Sequence, residues 1–131
     1  MTRRVACIAL LVRDYDEAAA WYRDALGFRV LEDSDLGAGK RWLRIAPAED
    51  AAFALLLARA NTPDQAARIG DQHGGRVGFF LHTDDFDRDH ARLLAHGARV
   101  EEAPRREAYG TVVVFRDLYG NRWDLIGPAA T

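Results

Sequence analysis

Residues 14–27, Asp14-Tyr15-Asp16-Glu17-Ala18-Ala19-Ala20-Trp21-Tyr22-Arg23-Asp24-Ala25-Leu26-Gly27, carry both ends of a helix in their own side chains. Asp14 is an N-cap acid with Glu17 at the third helical position, where side-chain oxygens satisfy the free N–H groups of the first turn. Ala18, Trp21, Tyr22, Ala25 and Leu26 recur at helical spacing, so one face is apolar. Gly27 is the expected stop, because glycine enters the left-handed conformation that ends a helix without steric cost. Upstream, residues 5–12 form a continuous β-prone apolar run. It is too short to span a bilayer, has no small-residue cleavage site and meets Arg13-Asp14 at once, so it reads as a buried strand rather than a secretory signal. Phe28-Arg29-Val30-Leu31 restarts as a strand.

The same punctuation returns seventy residues later. Residues 77–81 are the apolar run and Asp84-Asp85 the cap. Phe86, His90, Leu93 and Leu94 are the stripe, Gly97 the stop, and Arg99-Val100 the restarted strand. Each copy continues with two strand-like runs, 40–46 and 52–57 in the first, 111–115 and 122–126 in the second. Gly37-Ala38-Gly39-Lys40 reads as a hairpin turn, and Asp117-Leu118-Tyr119-Gly120-Asn121 joins the last two strands. The reading is α+β: a single domain, 1–131, with module one at about 5–57, a joint at 58–76 and module two at about 77–126. In the joint, Thr62-Pro63-Asp64-Gln65 opens a short helix that Gly70 ends, and residues 71–75 are a flexible connection. One helix cannot cover both faces of a four-stranded sheet, so the two copies are expected to share a core or a cavity.

Composition narrows the function classes. With 49% hydrophobic and 29% charged residues, this is a globular chain long enough to fold without disulfides or structural zinc. The one cysteine, Cys7, excludes a Cys-x-x-Cys pair and points to a reducing, cytoplasmic setting. A net charge of −2 argues against nucleic acid as partner, since phosphate binding needs a basic face. Arg105-Arg106 lies among Glu101, Glu102 and Glu107 and reads as a solvated hairpin.

Residues 12–18 together with Trp21-Tyr22-Arg23-Asp24-Ala25-Leu26-Gly27-Phe28 resemble the first module of the glyoxalase/bleomycin-resistance/extradiol dioxygenase, or vicinal-oxygen-chelate, superfamily. Asp117-Leu118-Tyr119-Gly120-Asn121-Arg122-Trp123-Asp124-Leu125 resembles the closing hairpin of its second module. The resemblance covers about residues 5–126. It implies two tandem βαβββ modules whose curled mixed sheets surround a cavity, with helices outside, and it implies a homodimer. It also implies a divalent ion held by one side chain from the first and last strand of each module. Counted from the caps, those positions read Cys7, Ala54, Gly78 and Asp124, with the neighbours Phe53 and Leu55 equally unable to ligate. One thiol and one carboxylate do not make a tight divalent site, so no metal and no cofactor are expected.

What remains is a cavity with aromatic walls. Trp42, Phe80, Tyr109 and Phe115 are candidate ligand contacts, together with the polar Arg44, His82 and Asp124, and Trp123 is set by alternation on the face opposite Asp124. His82 shares the face of Gly78 and Phe80, near the cavity rim; the alternative is a bond to the Thr83-Asp84 cap. His73, His90 and His96 read as surface histidines. Asp124 stands inside an apolar strand, where an acid needs a reason. The readings, in order, are a pair with Arg44 or Arg41, a contact to a cationic or hydroxylic ligand group, and a general base. No nucleophile elbow or phosphate-binding glycine loop is present. The function expected is metal-independent binding of a small molecule, in the manner of bleomycin-resistance proteins. The alternative is a glyoxalase-like lyase, isomerase or dioxygenase with Asp124 and His82 as acid–base groups. Neither reading calls for a membrane.

Overall fold

A computed structural model describes residues 2–129. The chain divides into two compact units, one through Ile69 and the other from Gly70 onward, so the boundary falls inside the expected joint.

In the first unit, β1 (Cys7–Val12), α1 (Tyr15–Leu26), β2 (Arg29–Gly37), β3 (Lys40–Ala46) and β4 (Ala54–Arg59) follow in chain order. The sheet order is β1-β4-β3-β2, with β1 parallel to β4 and the other pairs antiparallel. Both ends of α1 behave as the sequence predicts. The Asp14 carboxylate accepts the Glu17 N–H at 2.8 Å, and Gly27 closes the helix in the left-handed region at φ 70°. Ala18, Tyr22, Ala25 and Leu26 are buried, as are Leu10, Val12, Leu43, Ile45 and Leu57 on alternate strand positions. Beyond the sheet, α2 (Pro63–Ala67) begins at Thr62, whose hydroxyl accepts the Gln65 N–H.

The second unit repeats the plan. β5 (Val77–His82), α3 (Phe86–Ala95), β6 (Arg99–Val100), β7 (Arg105–Glu107), β8 (Gly110–Arg116) and β9 (Arg122–Gly127) give the order β5-β9-β8-β6, with β7 also on β8. The second strand of this copy, expected to restart at Arg99-Val100, is thus broken into β6 and β7, both antiparallel to β8. The N-cap is Asp85 rather than Asp84, its side chain accepting the Arg88 N–H. The copies are therefore offset by seventy-one residues at the helix start and seventy at the glycine stop. Leu93 and Phe86 seat α3, and Gly127 is required beneath it because an added Cβ would lie 2.6 Å from Phe86 Cβ.

The closing turn is a hydrogen-bonded knot around Asp117. Its carboxylate is buried and accepts Tyr119 N–H, Asn121 N–H, Asn121 Nδ2 and Trp123 Nε1, at 3.0, 2.9, 2.9 and 3.4 Å. A buried acid is tolerated here because every side of it is met by a donor. Trp123 is stacked between Phe79 at 4.6 Å and Phe115 at 5.9 Å. Phe115 is fully buried in that stack, which removes it from the candidate ligand contacts. Alternation had correctly set Trp123 against the packed face; Phe115, its register partner on β8, goes with it.

Candidate functional site

The face of the second sheet opposite that aromatic stack is the more informative one. Register pairs Asp124 with Phe80 on one side and Val114 on the other, and pairs His82 with Ile126 two residues along. Val114 and Ile126 are buried, whereas Phe80 is 59% exposed. Asp124 Oδ1 is enclosed and is the one buried side-chain oxygen or nitrogen among the described residues without a hydrogen-bond partner. Burial pushes this carboxyl above the usual carboxylate range. Glu102 pushes the same way, and Arg105 and Arg122 pull it back without cancelling the rise. The reason is elementary: a charge with one oxygen shut among apolar side chains loses hydration that nothing replaces.

The two arginines expected to pair with Asp124 are engaged elsewhere. Arg44 donates to Glu32 at 3.0 Å, and Arg41 is held by Asp33 and Asp16 at 2.7 and 2.8 Å, all within the first unit. Arg105 is likewise clamped by Glu102 and Glu107. Tyr109, 59% exposed in the β7–β8 hairpin, stands next to Arg105. His82 is exposed and takes no part in the α3 cap, where Thr83 receives the Asp85 N–H and donates to Asp89.

In the first unit the open face holds Trp42, 37% exposed opposite Ser34, and Arg44. A cleft of about 520 Å³ opens beside them, with Val30, Leu31, Ala6, Phe53, Arg4 and Arg44 among its walls. Beside it β2 carries a bulge between Val30 and Glu32 that leaves Leu31 without a register partner on β3. Sequence reasoning missed this cleft; the bulge has no local signature, and only the exposed Val30 and Phe53, at 52% and 41%, mark it.

The positions where a divalent ion would be held can be tested on their donors. Cys7 and Ala54 face each other in register across β1 and β4, and only the thiol could ligate. Gly78 sits at an irregularity of β5, and a Cβ there would meet the His73 ring at 2.4 Å. The joint thus fills the space a ligating side chain would need, with His73 held edge-on to Phe79 at 4.9 Å. Among the described residues no three His, Cys, Asp or Glu side chains gather as a metal would require. This donor set does not fit a divalent ion.

The model of the glyoxalase/bleomycin resistance protein/dioxygenase superfamily matches residues 4–125. The chain belongs to this superfamily. A relative from Shewanella frigidimarina, of uncharacterized function, is 46% identical over 127 residues, covering 96% of this chain and 94% of its own. Among solved structures, UcmS2 is similar at a TM-score of 0.79 and 30% identity, over 96% of this chain and 98% of that one. TnmS3, an antibiotic binding protein from Streptomyces sp. CB03234, is similar at 0.77 and 31%, over 98% of each chain. Within the superfamily scaffold the caps and turns of this chain are intact, and the four expected ligand positions are depleted of donors. No helix among the described residues is long and apolar enough to cross a membrane.

Proposed function

We propose that this superfamily member binds a small, largely planar molecule on the open face of its second sheet, without a metal, in the manner of antibiotic-sequestering relatives. The observation that carries the reading is the Asp124 carboxyl, unpartnered at Oδ1 and flanked by exposed Phe80. Buried polar groups are ordinarily satisfied, so an unsatisfied one beside an exposed aromatic is suited to a partner from outside the chain. Phe80 and Tyr109 supply π-faces, Asp124 supplies a polar anchor, and His82 lies further along the same edge strand. Similarity to an antibiotic binding protein supports the same class of ligand.

The test is a fluorescence titration of the purified protein with a panel of planar antibiotics and aromatic metabolites. Phe80→Ala and Asp124→Asn are expected to weaken whichever ligand quenches tryptophan emission. Silence across the panel, or quenching that neither substitution alters, refutes the proposal. The raised Asp124 carboxyl also favours a second reading, general acid–base catalysis with His82. Turnover that disappears in both Asp124→Asn and His82→Gln would select it. Both readings take the working protein as a cytoplasmic homodimer, which sedimentation of a dilute sample checks; a monomer rules that out.

A further inference from the structure

The Gly70–Arg76 joint contributes to a cavity the proposed function does not use. It is small, about 60 Å³, and lies within the second unit among Arg76, Arg116, Arg122, His73, Asp71 and Gly75. At roughly 30 Å³ per water, that is room for about two waters, or for one compact polyatomic ion. Three arginines line this small space, and like charges gather so closely more readily where an acid holds them. Glu101 holds two of them, receiving Arg122 Nε and Nη2 at 2.9 Å each and Arg116 Nε at 2.9 Å. Backbone carbonyls complete the clamp, Gly75 taking Arg122 Nη1 at 3.0 Å and Gly120 taking Arg116 Nη1 at 3.4 Å.

The clamp leaves donors over. A guanidinium has five N–H groups. Arg122 spends three and Arg116 two on the bonds just named, while Arg76, exposed at the end of the joint, has no side-chain partner among the described residues. The charges do not cancel either: three arginines face Asp71 and Glu101, a surplus of one positive charge before His73 is counted. Two preset guanidiniums with spare forked N–H groups, beside a third arginine and a glycine-rich backbone, suit a tetrahedral oxyanion.

We propose that this cavity is an oxyanion subsite, taking a phosphate or sulfate group. Two sources of that group fit the geometry. One is a free anion. The other is the charged end of an organic ligand lying along β9, since Arg122 is two residues, roughly 6–7 Å, from Asp124 on the same face. The proposal does not depend on the Asp124 reading, because neither Arg76 nor Asp71 belongs to that face.

The test is an amide ¹⁵N NMR titration of the full chain with inorganic phosphate at constant ionic strength. Expected are saturable shifts confined to Gly74, Gly75, Arg76 and Gly120 and to Arg122 Nε. Arg76→Ala should weaken binding roughly tenfold, the loss of a charge-assisted contact. Asp71→Asn should tighten it by removing the opposing charge, a gain that misfolding cannot imitate. Phenyl phosphate separates the sources: added shifts at Phe80 and Tyr109 identify the end of an organic ligand, and a pattern equal to that of phosphate identifies a free-anion site. Shifts that never saturate, or that neither substitution changes, overturn the proposal.

Discussion

Replacing Asp124 by asparagine should make the protein more stable while weakening its ligand. In the folded chain the carboxyl has Oδ1 enclosed without a partner between Phe80 and Val114, so its ionised form is disfavoured by burial. An unsatisfied, fully buried polar group costs about 1–3 kcal/mol. Because the residue as a whole is only half-buried, that cost is discounted below the range for full burial, and about 0.5–1 kcal/mol is expected from removing the charge. For a chain of this length that is a rise of about 2–4 °C in Tm at neutral pH. The sign of the pH dependence identifies the cause. A carboxyl raised on folding binds its proton more readily in the native state, so wild-type stability from this group increases as pH falls through its folded pKa. The advantage of Asp124→Asn should therefore be present in full at neutral pH, shrink as pH falls through the window between the raised and ordinary values, and be level below it. Subtracting the variant's stability from the wild type's at each pH, by chemical denaturation, cancels all other titrating groups. A variant less stable than wild type at pH 7, or a difference independent of pH, would refute the reasoning and show that the carboxylate has a structural partner.

Three further outcomes follow from the geometry. Asp117→Ala strands four donors, three of them in buried bonds, and should cost about 3–5 kcal/mol in urea unfolding, whereas Asp117→Asn keeps one acceptor and should lose less. Glu101 is held below the usual carboxylate range chiefly by its bond from Arg122, so the stability it supplies is present above that range and is lost as pH falls through its depressed pKa; Glu101→Gln should flatten this acid limb in thermal melts. Gly78→Ala should expel the His73 ring and break its contact with Phe79, costing about 1 kcal/mol, and His73→Ala should absorb most of that loss in a double-mutant cycle.

Much of this molecule is written in short-range sequence. Asp14, Glu17 and Gly27 determine the first helix because a cap and a left-handed stop act within one turn, and Asp117 and Asn121 determine the closing turn for the same reason. The duplication, the superfamily and the poverty of donors at Cys7, Ala54, Gly78 and Asp124 are legible too, since they need only spacing and residue type. Partners across strands are not. Arg44 chose Glu32, Arg41 chose Asp33 and Asp16, and Asp124 was left with an unpartnered oxygen, because pairing depends on register and face. Phe115 and Phe80 are equally apolar in sequence, yet one is sealed against Trp123 and the other is exposed beside Asp124. Arg76, Arg116 and Arg122 are spread over forty-six residues of chain; only the fold brings them to one cavity, where Glu101 and the Gly75 and Gly120 carbonyls hold Arg116 and Arg122.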